Sequence, residues 1–138
     1  MTRREYLRTL SGLGLAMGIQ AWNFKDDPLL LQRSIPSTGE MLPAVGVGTW
    51  RTFDVGESET EQAPLLEVLE NLIKRGGKVV DSSPMYGNSE KVVGDLSTRA
   101  HLNDKLFIAT KVWTSGEQSG IRQMNESFTF LKRKQIDL

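Results

Sequence analysis

Lys78-Val79-Val80-Asp81-Ser82-Ser83-Pro84-Met85-Tyr86-Gly87-Asn88-Ser89-Glu90 joins a short apolar run ending in a carboxylate to a polar loop and then to the start of a helix. Residues 78–81 read as a short buried strand, and Ser89 can cap a helix that runs to Leu96. The same cycle precedes it. Ala44-Val45-Gly46-Val47-Gly48-Thr49-Trp50 is strand-like, and Leu65, Leu66, Leu69, Leu72 and Ile73 recur at helical spacing until Gly76-Gly77 stops the helix. It also follows. Residues 106–112 form a third strand-like run, and Ile121, Met124, Phe128 and Leu131 fall on one face of a helix ending in Lys132-Arg133-Lys134, cations suited to a helix C-terminus. Ile136-Asp137-Leu138 looks like the start of a fourth strand. Strands and helices alternating at a spacing of roughly 30 residues imply an α/β fold with parallel strands and right-handed crossovers, as an open sheet or a barrel.

Upstream, residues 35–43 (Ile35-Pro36-Ser37-Thr38-Gly39-Glu40-Met41-Leu42-Pro43) place turn formers between two short apolar segments, the pattern of a small hairpin bounded by prolines. Residues 22–34 read as a linker. Residues 1–21 carry Arg3-Arg4 and then a mildly apolar, glycine-containing run from Leu10 to Ile19, which resembles a twin-arginine export signal. A basic amphipathic helix is the alternative. The run is far shorter than the roughly 20 residues that span a bilayer, so no stable membrane insertion is expected. The signal implies the export machinery as a partner and a bacterial periplasmic destination.

Seventeen basic and seventeen acidic side chains cancel, so no overall field attracts nucleic acid. Cysteine is absent, which excludes disulfides and thiolate chemistry, and one histidine, His101, leaves little for a metal site. With 38% hydrophobic and 25% charged residues, the balance is that of a globular protein whose chemistry must come from carboxylate, phenol, amine and hydroxyl groups.

Asp81 ends the second strand and Lys111 ends the third, so in a parallel sheet both emerge at the carboxyl-terminal rim, where such folds build their sites. Tyr86, one loop after Asp81, can return over that rim. An acid, a phenol and an amine together suggest proton transfer by tyrosine, with the ammonium favouring the phenolate and Asp81 holding the ammonium in place. The same residues also read as a buried Asp–Lys pair closing a strand end, with Tyr86 as loop packing. Gly46-x-Gly48 is no dinucleotide fingerprint, because Arg51 stands at the third glycine position and no helix begins there.

Four ordered segments carry a more specific signal: residues 35–50, residues 81–90, Ala109-Thr110-Lys111-Val112-Trp113, and Lys134-Gln135-Ile136-Asp137-Leu138. In order and spacing they resemble the aldo/keto reductase family. The resemblance implies that residues 35–138 are the N-terminal part of a (β/α)8 TIM barrel, a hairpin plus about three βα units. It implies NADPH-dependent reduction of a small aldehyde or ketone. Tyr86, Lys111 and Asp81 would be catalytic. Gly48, Thr49, Trp50 and Asp81 would bind cofactor, and Trp50, Tyr86 and Trp113 would line the substrate pocket. No metal is implied. A full barrel needs about 250 residues, so the chain is expected to be incomplete and inactive alone. The family's histidine beyond the fourth strand start is not reached, and His101 lies at the opposite rim. Two other functions fit the resemblance: a non-catalytic nicotinamide-binding subunit and a non-functional truncated product.

Overall fold

The computed structural model describes residues 30–138. The export signal expected in residues 1–21, and most of the expected linker, lie outside the described residues. Two strands, β1 (Gln32–Ser34) and β2 (Met41–Pro43), pair antiparallel with Ser34 opposite Met41. The hairpin thus begins three residues earlier than its prolines suggest, inside the stretch read as linker. Its turn is closed by the Ile35 carbonyl, which accepts from the Gly39 amide at 2.8 Å, and Pro36 serves as a turn residue rather than a strand boundary.

A three-stranded parallel sheet follows, made of β3 (Val47–Gly48), β4 (Val79–Asp81) and β5 (Phe107–Ala109) in that spatial order. The intervening helices are α1 (Glu59–Lys74) and α2 (Ser89–Arg99), and α3 (Glu117–Phe130) follows β5. Gly48 stands opposite Asp81, and Asp81 opposite Ala109, so the three strands end level. Beyond β5, the Asp137 amide donates to the Ile108 carbonyl at 3.0 Å and the Thr110 amide to the Leu138 carbonyl at 2.9 Å. Residues 136–138 therefore run beside β5 and bond to its free edge through the backbone, without forming the regular fourth strand expected there.

The core lies between sheet and helices. Val80 and Ile108 from the strands meet Leu65 and Leu69 of α1 and Val92, Val93 and Leu96 of α2, all buried. The leucine spacing that predicts α1 is the spacing of its buried face, and the helix stops where Gly76 adopts φ +81°. The last helix differs from its sequence pattern. Helix α3 ends at Phe130, and Lys132 takes φ +52°, so Lys132-Arg133-Lys134 follows the helix instead of closing it. Ile121 and Met124 are exposed, while Leu131 is buried and the Ser127 hydroxyl donates to Glu90. Helix α3 thus packs on α2 through its last turns, which a purely apolar stripe does not reveal.

That crossing is tight. A side chain at Gly94 would meet the Phe130 carbonyl and the Leu131 backbone. Beside it, Asp95 accepts from Lys91 at 2.9 Å and pairs with Lys132. Partial burial pushes the Asp95 carboxyl up, but the two ammonium groups outweigh it and hold the carboxyl below its ordinary value of 3.8. The contribution of this pairing to stability is present above that ordinary value and fades as pH falls through the depressed one. Gly94→Ala is expected to lower unfolding stability by about 1–3 kcal/mol, because backbone rather than a movable side chain opposes the added methyl. An unchanged urea midpoint would show that the crossing can open without cost.

Candidate active site

Level strand ends bring three loops to one rim. Lys111 lies two residues beyond β5, and its Nζ donates to Asp81 Oδ1 at 2.7 Å and to the Ser82 carbonyl at 2.8 Å. Both side chains are half-exposed, so the pair is reachable from solvent rather than sealed in the core. The Lys111 ammonium also lies 5.3 Å from the centroid of the Tyr86 ring, within range of a cation–π contact. Asp81, Lys111 and Tyr86, which the sequence places at the same rim, are gathered in one cluster. Two of three ammonium hydrogens are committed to acceptors on β4 and its following residue, which orients the lysine firmly.

Tyr86 occupies a loop fixed at both ends. Its amide donates to the Ser83 carbonyl at 3.0 Å, and its carbonyl accepts from the Ser89 amide at 3.0 Å. The Trp50 ring stands 6.4 Å from the Tyr86 ring and is tilted by 40°. Trp50 is 64% exposed, and the Arg51 guanidinium lies over its other surroundings at 5.7 Å from the ring centroid. Trp50 and Tyr86 thus form one aromatic wall above the Asp81–Lys111 pair.

Trp113 is placed apart from them. It is 65% exposed, and its backbone amide is held by Gln123 Oε1 of α3 at 2.5 Å. No ring contact joins it to Trp50 or Tyr86 among the described residues. Gly48 sits at the end of β3 with nothing within 4 Å of the position a Cβ would take, so the backbone there is open to a ligand.

Thr49 departs from its expected role in lining the pocket. It is completely buried, and its hydroxyl lies 2.9 Å from the Ser82 hydroxyl and 3.1 Å from the Asp81 carbonyl. So placed, the side chain braces the turn that presents Asp81 and the Ser82 carbonyl to Lys111. Ser89 departs as well. The N-cap of α2 is Asn88, which makes no side-chain cap bond, and the Ser89 hydroxyl instead donates to the Thr49 carbonyl at 3.1 Å.

Glu90, one residue further, is buried with both carboxylate oxygens occupied. Thr110 Oγ1 donates to one at 2.5 Å and Ser127 Oγ to the other at 3.1 Å. These polar supports, Ser82, Ser89, Glu90 and Thr110, are not evident as functional residues from the sequence. Their only signal is a run of small hydroxyl side chains flanking the strand ends. His101 lies in the connection between α2 and β5, exposed and with φ +55°, far in the chain path from this cluster and at the other end of the strands.

Parallel strands with level ends and a lysine–carboxylate–tyrosine cluster on their carboxyl-terminal rim define the chain as a run of βα units with a solvent-accessible site. Comparison with known proteins sharpens that class. The family model for the aldo/keto reductase family matches residues 44–138. A methylglyoxal reductase of Escherichia coli is 35% identical over 112 residues, covering 78% of this chain and 38% of the relative. An aldehyde reductase of Saccharomyces cerevisiae is 28% identical over 102 residues, covering 74% of this chain and 30% of the relative. An aldo/keto reductase of Klebsiella pneumoniae, solved in complex with NADP and acetate, superposes with a TM-score of 0.61 at 25% identity, over 72% of this chain and 35% of that one. A second from the same organism, in complex with NADPH, gives 0.64 at 23% identity over 78% of this chain and 38% of that one. The chain belongs to the aldo/keto reductase family, and it spans about a third of the length of the curated relatives it matches. Its fold corresponds to part of the family's TIM barrel.

The buried hydroxyl brace makes a prediction independent of catalysis. Thr49→Val keeps the shape but leaves the Ser82 hydroxyl without its partner, and is expected to cost about 1–3 kcal/mol in unfolding stability. Retention of full stability in Thr49→Val would mean that Ser82 finds another acceptor and that the brace is dispensable.

Proposed function

We propose that this chain supplies the proton-donating half of an NADPH-dependent carbonyl reductase site, acting on small aldehydes or ketones. The single observation behind this reading is the Lys111 ammonium, held by Asp81 and the Ser82 carbonyl and facing the Tyr86 ring at 5.3 Å on an open rim. The family membership and the cofactor-bound state of a solved relative at 25% identity support it.

The rim residues fit a nicotinamide cofactor and a carbonyl compound. Gly48 offers bare backbone, Trp50 presents an exposed face beside Tyr86, and Asp81 and Lys111 remain reachable. Gly48, Trp50 and Asp81 would hold the cofactor, while Trp50, Tyr86 and Trp113 would border the substrate. When bound, NADPH supplies the hydride that the carbonyl carbon accepts. Tyr86 donates its phenolic proton to the carbonyl oxygen, so that the carbonyl becomes an alcohol and the phenol becomes a phenolate. The fixed positive charge of Lys111 stabilises that phenolate as the proton leaves, without needing to move during the reaction. Asp81 keeps the ammonium aimed, and a solvent proton then restores the phenol.

In a full barrel that carries this segment, Tyr86→Phe is expected to lower the rate of NADPH oxidation with an aldehyde by two or more orders of magnitude, consistent with loss of a general acid. NADPH affinity, followed by nicotinamide fluorescence, should change little. Undiminished turnover in Tyr86→Phe would remove the tyrosine from this role.

We also propose that residues 1–21 direct export through the twin-arginine machinery, which carries folded proteins and suits an enzyme that takes up its nucleotide before transport. The support is the Arg3-Arg4 pair ahead of a weakly apolar run. Fused to a reporter in a bacterium with this machinery, residues 1–34 should deliver it to the periplasm. Replacing both arginines with lysine should abolish delivery; export that survives this change would reject the signal.

A further inference from the structure

We infer that Asp54 is a positioning residue for Tyr86, acting as a cap supplied from a distant loop of the chain to the loop and helix that follow the phenol. This inference rests on the proposed role of Tyr86. The loop after Tyr86 must turn sharply into α2, and Gly87 adopts φ +55° to do so. The helix that follows lacks a cap of its own: Asn88 makes no side-chain cap bond, and the Ser89 hydroxyl is turned toward the Thr49 carbonyl. A helix N-terminus with uncapped amides is a poor anchor for the loop in front of it.

The missing acceptor comes from another loop. Asp54 Oδ1 accepts from the Asn88 amide at 2.8 Å, across 34 residues of sequence. The same carboxylate packs so closely over Gly87 that any side chain there would collide with it. A negative charge at this place also complements the partial positive charge of the helix start. Gly87 and Asp54 are thus fitted to each other, one lacking a side chain where the other projects a carboxylate.

The loop that supplies Asp54 is itself secured, because Phe53 is 1% exposed within the core and its amide donates to the Thr49 carbonyl at 3.0 Å. That loop also carries Trp50, whose ring faces Tyr86. One short segment therefore meets the tyrosine loop at two places, through an aromatic ring at Tyr86 itself and a carboxylate at the two residues after it. The separation between the phenol and the Lys111 ammonium is set at the lysine end by Asp81 of β4 and at the tyrosine end by Asp54 of the loop after β3.

The test uses the whole isotope-labelled chain with Asp54→Ala and Asp54→Asn, the latter keeping an oxygen that can accept the Asn88 amide. In Asp54→Ala the Asn88 amide should lose its exchange protection and the nuclear Overhauser contact between the Trp50 and Tyr86 rings should disappear. Asp54→Asn should retain both. In a full barrel that carries this segment and reduces an aldehyde with NADPH, Asp54→Ala should lower kcat on the order of ten- to a hundredfold with little change in KM, as expected for a misplaced reacting group. Asp54→Asn should restore most of it.

Ring contact and amide protection that persist in Asp54→Ala, or an Asp54→Asn variant as impaired as Asp54→Ala, would overturn the inference. A second measurement guards against simple loss of folding. Gly87→Ala and Asp54→Ala should be non-additive in urea midpoint, since removing the carboxylate relieves the collision, and strict additivity would count against the fit. A full barrel that carries this segment and neither binds NADPH nor reduces an aldehyde would remove the proton-donor reading, while the ring contact would still decide whether Asp54 positions the tyrosine.

Discussion

The level register of three parallel strands is the constraint from which the site follows. Val80 pairs with both Val47 and Ile108, so β3, β4 and β5 terminate side by side, and the residues that follow each strand leave in the same direction. Trp50, Asp81 and Lys111 lie at or just past the ends of three different strands, and they share one rim because those strands stop together. A shift of two residues in one strand would preserve its buried face while moving its last side chain by nearly 7 Å along the sheet. Buried Val80 and Ile108, locked between α1 and α2, oppose such a slip.

Much of this was legible because hydrophobic period and strand-end position are local properties of the chain. The leucines of α1 and the Val79-Val80 run gave correct element types, and parallel strands then required Asp81 and Lys111 to share a rim. Less legible was anything decided by partners distant in sequence. Thr49 looks like a pocket residue when read beside Trp50, and only the approach of Ser82 across 33 residues turns its hydroxyl inward. Ser89 looks like a helix cap until the Thr49 carbonyl competes for its hydroxyl. The apolar stripe of α3 includes Ile121 and Met124, but the helix is seated by a buried hydroxyl and a bare backbone crossing, neither of which contributes to apolar periodicity.

The polar groups around the rim fall into two layers with different physical tasks. Beneath lie Thr49, Ser82, Ser89 and Glu90, all buried and all hydrogen-bonded, as burial of polar groups requires. Above lie Asp81, Lys111, Tyr86 and Trp50, which remain partly or largely exposed. The lower layer satisfies itself internally and offers nothing to a ligand. Its worth is in limiting how the upper layer can move, because each buried bond would have to be broken without compensation from water before a strand end could shift.

This division explains why composition and motif carry different information. A reactive cluster needs unusual side chains at stated positions, and these are readable as a motif. A supporting layer needs only small hydroxyls and one carboxylate of suitable reach, residue types that occur throughout any chain. Glu90 illustrates the difference: it sits in the same quoted segment as Tyr86, yet its function is to join the start of α2 to Thr110 beside Lys111 and to Ser127 of α3. It links the tyrosine-bearing element to the lysine-bearing one from below, as the Asp81–Lys111 pair does from above. One tie from α2 below and one from β4 above thus hold Thr110 and Lys111 to the helix and strand that flank the Tyr86 loop, and electrostatic stabilisation depends on charges held in place beforehand.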